Sequence, residues 1–140
     1  MIYVDTSVIV ALLTVEPKTV AVTAWFAGLA DLPVCSDWLL TEFCSAVSIK
    51  QRSGHLNEAQ AKRVRSEFEV LADGGLRIVS VSRAAFRMAA ELARQQAHGL
   101  RAGDSLHLAV ALELEASRMA TLDATLAANA KRSGMGLIEF

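Results

Sequence analysis

Only two prolines and two cysteines occur among 140 residues, and no apolar stretch approaches bilayer length. Each scarcity excludes something. Both prolines stand near expected element starts, so there is no proline-rich linker and no low-complexity tract. Cys35 and Cys44 match no zinc-ligand spacing and make no disulfide framework; both are expected to be buried, reduced thiols. Apolar runs such as Val8 to Leu13 fall well short of the roughly 20 residues that span a membrane. A basic leader region is missing, and Asp5 arrives too early for a signal-peptide core. These absences predict a soluble, cytoplasmic protein with no membrane partner. An excess of one charge is missing too, the formal net charge being -1. Non-specific nucleic-acid binders are usually more basic, so any such role must rest on a local patch.

What is present is an apolar majority, 53% of residues, in a chain sized for a single domain over 1–140. The surplus over the usual globular share points to a helix-rich core or to a subunit or partner interface. Short β-branched or apolar segments alternate with helical ones. Strands are expected at Ile2 to Val4, Pro33 to Ser36, Leu76 to Val81, Met119 to Leu122 and Leu137 to Phe140. Helices are expected between them. Thr6 or Ser7 caps the first, Pro17 opens a second, Asp37 caps a third, and Asn57 with Gln60 forms a capping box for a fourth. Ser82 caps a helix closed by His98-Gly99, and Ala102 to about Leu114 is apolar on nearly every side, as buried helices are. The alternation predicts an α/β fold, a mostly parallel central sheet with helices on both faces.

That topology gathers acids. Open parallel sheets bind ligands at the carboxyl ends of their strands. Asp5 follows the first strand in MIYVDTSVIV, and Asp123 follows the fourth in MATLDATL. Glu42 lies about one turn into the helix after the second strand, within WLLTEFCSAV, and Asp104 lies in the first turn of the buried helix, within LRAGDSLHLAVAL. Unpaired carboxylates in such apolar surroundings are costly. Neither helical acid has an evident local partner: Lys50 is two turns from Glu42, and Arg101 reaches Asp104 only if its helix begins earlier. Four acids without matching bases repel one another, and a hard divalent cation with oxygen ligands, Mg²⁺ or Mn²⁺, resolves the conflict. A plainer account competes. Asp5, Asp104 and Asp123 each stand where an aspartate caps a helix or favours its dipole, and taken singly capping is the stronger account. Glu42 caps nothing, and its plain alternative is a partly exposed glutamate. Only the shared sheet edge favours the metal.

Four segments, IYVDTSVIVALL, LLTEFCSAV, LRAGDSLHLAVAL and MATLDATLAANAKRSGM, in this order and at these separations, resemble the PIN-domain ribonucleases of the VapC toxin type. The resemblance covers essentially the whole chain. It implies a PIN-like three-layer sandwich, Mg²⁺ or Mn²⁺ at a cluster of acids, and endonuclease action on RNA. Residue by residue it implies Asp5, Glu42, Asp104 and Asp123 as the catalytic and metal-binding acids. Thr6 and Thr121 match small hydroxyl residues beside these acids, where either can bind a metal-held water. A homodimer and a cognate antitoxin lying over the groove are also implied. His107, three residues after Asp104, fits the pattern and is expected to be structural. His55 and His98 adjoin Gly54 and Gly99 at helix ends, where a dipole contact is the plain reading.

The expected chemistry is hydrolysis by a metal-activated water attacking phosphorus in line, leaving 5′-phosphate and 3′-hydroxyl ends. Paired histidines are not needed, because the 2′-hydroxyl is not the nucleophile. Arg52, Arg101, Lys131 and Arg132 are candidates for phosphate contacts, against solvated surface charge for each one singly. Two other readings stand beside this one. A metal-dependent phosphatase with Asp5 as covalent nucleophile would want an acid two residues on, where the chain has Ser7. A non-catalytic acidic binding subunit would use the acids as caps or to grip a basic partner.

Overall fold

A computed structural model describes residues 1–140. Its elements run β1 (Ile2–Val4), α1 (Thr6–Leu13), α2 (Thr19–Ala27), β2 (Val34–Ser36), α3 (Trp38–Arg52), α4 (Glu58–Gly74), β3 (Arg77–Val79), α5 (Arg83–Ala93), α6 (Ala102–Glu113), β4 (Arg118–Ala120), α7 (Ala124–Arg132) and β5 (Gly136–Leu137). The strands form one sheet in the order β3-β2-β1-β4-β5, and every pairing is parallel. The expected parallel sheet is therefore present. β1 is central: Tyr3 pairs with Val34 on one side and with Met119 on the other. The chain builds outward from β1 to β3, then returns across to β4. The strand order reverses beside β1, and a crevice opens there at the carboxyl ends.

Strand side chains alternate between the two faces, and the core divides accordingly. Tyr3 and Met119 point to one face, where they pack with Ala85 and Ala89 of α5, Leu106 to Ala111 of α6 and Leu126 and Ala130 of α7. Val4, Cys35 and Ala120 point to the other, against Val8 and Ile9 of α1, Leu39, Phe43 and Val47 of α3 and Val64 and Phe68 of α4. The result is the expected three-layer sandwich. In α6 the residues Ser105 to Ala111 are all buried, as its all-round apolar sequence predicts. No helix is long and apolar enough to cross a membrane.

Several expected boundaries shift. The helix expected to close at His98-Gly99 ends at Ala93; a separate 3₁₀ turn, Gln96–His98, follows, and Gly99 closes that turn in the left-handed region at φ 67°. β3, β4 and β5 are shorter than their apolar segments, since only the residues that find a parallel neighbour join the ladder. The Asn57–Gln60 capping box forms as expected, and Ser82 caps α5. Asp37 makes no side-chain cap; its Oδ1 instead accepts from the Val81 amide at 3.2 Å, tying α3 to the segment after β3. Cys35 is buried, but Cys44 is exposed, because it follows inward-facing Phe43 on α3 and is turned outward by one helical step.

Candidate functional site

In a parallel sheet the connecting helices run against the strands, so the amino ends of α1, α3, α6 and α7 all reach the crevice. Each brings an acid. Asp5 ends β1 and stands at the start of α1, Glu42 lies in the second turn of α3, Asp104 in the first turn of α6, and Asp123 immediately before α7. All four line one groove of about 620 Å³. The positive ends of these helices favour the carboxylates. Lys50 pairs with Glu16 and not with Glu42. The ion pairs of the chain put no lysine or arginine on any of the four acids.

Asp5 is 4% exposed. It makes no helix-capping bond with its side chain. Its Oδ2 accepts instead from Ser7 Oγ at 2.5 Å and from Thr121 Oγ1 at 2.7 Å. These two hydroxyls also receive the backbone amides of Leu122 and Asp123. The turn that carries the fourth acid is thereby fastened to the first. Oδ2 is thus saturated, while Oδ1 lies 3.5 Å from His107 Nε2. Asp123 does cap its helix, Oδ1 accepting from the Leu126 amide at 2.7 Å. Capping accounts for Asp123 in part and for Asp5 not at all. Ser7 supplies a hydrogen bond where a covalent-aspartate phosphatase would need an acid.

The sequence left Glu42 without a partner; the fold supplies two from distant parts of the chain. Glu42 Oε2 receives Thr6 Oγ1 at 2.7 Å and lies 2.7 Å from His107 Nε2. Burial pushes the Glu42 carboxyl up, but the bonds from His107 and Thr6 outweigh it and hold the carboxyl below its ordinary value. His107 moves the opposite way. Burial opposes its charge, yet the Glu42 hydrogen bond and the nearby Asp5 charge raise the imidazole above its ordinary value. The two shifts run in opposite directions and share one cause, the hydrogen bond between the imidazole and the carboxylate. Asp104 has no such side-chain partner. Burial first, then the charges of Asp123 and Asp5, push its carboxyl up.

Asp5, Glu42 and His107 form the tightest group, with one ligand atom from each within 4.8 Å of the others. Asp104 and Asp123 face the same groove from outside that group. The donor set is chemically suited to a hard cation: crowded carboxylate oxygens, one free oxygen on Asp5, and an acid whose ionised form is disfavoured until positive charge arrives. The residue that sequence reasoning undervalued is His107. Its signal was an ionisable side chain in the middle of a buried helix, one turn after Asp104. Thr6 and Thr121, expected beside the acids, both donate to carboxylates directly. The basic candidates fare differently. None of Arg52, Arg101, Lys131 and Arg132 lines the groove; Lys18 does. At about 1.5 Å rise per residue, Arg52 and Lys131 lie at the far ends of α3 and α7, well over 10 Å along from Glu42 and Asp123.

A parallel five-stranded sheet with acids collected where the strand order reverses defines a class of α/β protein, and comparison with known proteins places the chain within it. A family model described as the PIN domain matches residues 2–132. The chain belongs to the PIN-domain family, whose members are generally nucleases. Solved structures agree on the fold. Mycobacterium tuberculosis VapC20, described as a sarcin-ricin loop cleaving toxin, superposes with a TM-score of 0.74 at 18% identity, covering 92% of this chain and 95% of that one. FitAcB from Neisseria gonorrhoeae gives 0.73 at 20% identity, covering 99% and 97%. VapBC2 from Rickettsia felis, solved bound to a DNA fragment from its promoter, gives 0.68 at 18% identity, covering 99% and 98%. No curated protein matches the chain.

Proposed function

We propose that this PIN-domain protein is a Mg²⁺- or Mn²⁺-dependent endoribonuclease of the VapC toxin type. The carrying observation is the convergence of Asp5, Glu42, Asp104 and Asp123 on one groove with no lysine or arginine ion-paired to any of them. Capping leaves Asp5 and Glu42 unexplained. The toxin reading and the RNA substrate are supported by the fold shared with VapC20. Restraint by a cognate antitoxin is supported by the fold shared with the VapBC2 assembly. A homodimer is supported by the exposed Phe86, which joins Trp38 in an apolar cleft beside α5 and α6.

A divalent cation held by these acids would supply a nucleophile from water near neutral pH and stabilise negative charge on the phosphate. The chain's own residues do the rest. Asp5 offers Oδ1 because Ser7 and Thr121 occupy Oδ2. Glu42 is held by Thr6 and His107. Asp104 and Asp123 flank the groove, and Lys18, whose Nζ donates to Phe140 O at 2.7 Å, is the basic side chain that lines it.

Purified protein incubated with total RNA and Mn²⁺, with cut ends mapped, tests this. Cleavage lost in EDTA, restored by Mn²⁺ and leaving 5′-phosphate ends is expected. Asp5→Asn and Asp104→Asn should each reduce cleavage by orders of magnitude in folded protein. Cleavage undiminished in both variants, or indifferent to chelation, would overturn the assignment.

A further inference from the structure

We infer that His107 is a positioning residue for the metal centre: it holds Glu42 in the arrangement a divalent cation needs, without being a ligand itself. This rests on the metal-centre reading above and goes further, because it separates the tight Asp5–Glu42–His107 group into holders and a held group. His107 is 0% exposed and projects from α6 between the sheet and the groove. Both of its ring nitrogens are occupied. Nδ1 lies 3.0 Å from Tyr3 Oη, which in turn bonds Ser36 Oγ at 3.2 Å. Tyr3 packs edge-on to the imidazole, the ring centres 5.8 Å apart. The ring is therefore anchored to β1, the central strand, and to its neighbour β2.

Its other nitrogen faces the groove. Nε2 is surrounded by Glu42 Oε2 at 2.7 Å, Thr6 Oγ1 at 3.1 Å and Asp5 Oδ1 at 3.5 Å. A carboxylate only accepts, so the nitrogen facing Glu42 carries the proton and offers no lone pair to a cation. The far side of the Glu42 carboxylate is shaped as closely. Gly103 lies against Oε1, where a β-carbon would overlap it, and Trp38 Nε1 borders the same space. His107 and Thr6 fix one oxygen while Gly103 leaves room for the other. A merely structural histidine would direct its bonds into the core; this one spends one nitrogen on the core and the other on groove-lining acids.

Mn²⁺ binding to the folded protein, followed by calorimetry and by electron paramagnetic resonance, tests the inference without reference to cleavage. Orienting partners of ligating groups are worth about 10–100-fold in metal affinity. His107→Leu should lose that much, His107→Gln, which keeps an N–H near the same place, should recover most of it, and Tyr3→Phe should lose less in the same direction. Where His107→Leu fails to fold, the Tyr3→Phe and His107→Gln affinities decide. Unchanged affinity in His107→Leu or in Tyr3→Phe would overturn the positioning role. So would nitrogen coupling to Mn²⁺ from ¹⁵N-histidine-labelled protein, which would make His107 a ligand. Failure of the unaltered protein to bind Mn²⁺ would remove the metal-centre reading, and this inference with it; binding by the unaltered protein with unchanged variants would remove this inference alone.

Discussion

Gly103→Ala adds one methyl group and no charge, yet it should disturb the centre. Gly103 is the second residue of α6, one before Asp104. Replacing a helical glycine by alanine ordinarily gains up to about 1 kcal/mol. Here the new β-carbon would overlap Glu42 Oε1 and press on Trp38 Nε1. The helix backbone is fixed by its ladder, so the carboxylate, at the end of a flexible side chain, gives way. Moving it breaks the 2.7 Å bonds from Thr6 and toward His107. Glu42, its side chain 27% exposed, recovers some hydrogen bonding from water; His107, fully buried, does not. A charge-assisted hydrogen bond contributes about 1.5–3 kcal/mol. Subtracting the helix gain leaves a net loss of about 0.5–2 kcal/mol, or roughly 2–6 °C in Tm for a domain of this size. Calorimetric melting in EDTA measures it. The same substitution made in a Glu42→Ala background, where the clash is gone, should instead stabilise. Gly103→Ala at or above the wild-type Tm, or additivity of the two substitutions, would refute the reasoning.

Asp104→Asn should raise the metal-free Tm at neutral pH. The Asp104 carboxyl is raised in the folded protein by burial, Asp123 and Asp5, so its stabilising contribution is full below the unfolded carboxylate pKa and is lost as pH rises through the folded value. The gain from asparagine should therefore vanish in acid, and Mn²⁺ should favour the wild type; a variant less stable than wild type in EDTA at pH 7 would contradict this. Native protein should consume one equivalent of a thiol reagent, at exposed Cys44, while Cys35, whose thiol burial and Asp37 push up to about 12, reacts only after unfolding; two rapid equivalents would contradict the core packing. Phe43→Ala removes a fully buried ring stacked on Phe68 and should lose about 3–5 kcal/mol in denaturant titration. Asn57→Ala removes one half of the α4 capping box and should lose about 1 kcal/mol by the same assay.

Much of this was legible in the order of residues. Alternating short strands and helices predicted a parallel sheet, and the all-round apolar α6 announced its own burial. Strand-end and helix-start positions placed Asp5, Asp104 and Asp123 on one edge, because helix direction in a parallel sheet follows from chain connectivity alone. Boundaries were less legible: the apolar segments around β3, β4 and β5 run longer than the ladders they enter, since pairing depends on a neighbour. Lying near a helix end did not by itself place the phosphate-contact candidates beside the acids: Arg52, Lys131 and Arg132 stand at the carboxyl ends of α3 and α7, whereas Arg101 stands at the amino end of α6 with Asp104.

Periodicity and topology determined by themselves that acids would collect at one edge. The tertiary structure alone decided who stands beside each of them. Glu42 meets Thr6 from 36 positions away and His107 from 65, and Asp5 meets Thr121 from 116. A strand or helix is written by neighbours a few residues apart, whereas a hydrogen bond between side chains requires a fixed direction and a separation near 3 Å. Such precision arises only when both backbones are already held by the packed core, and no local pattern records it.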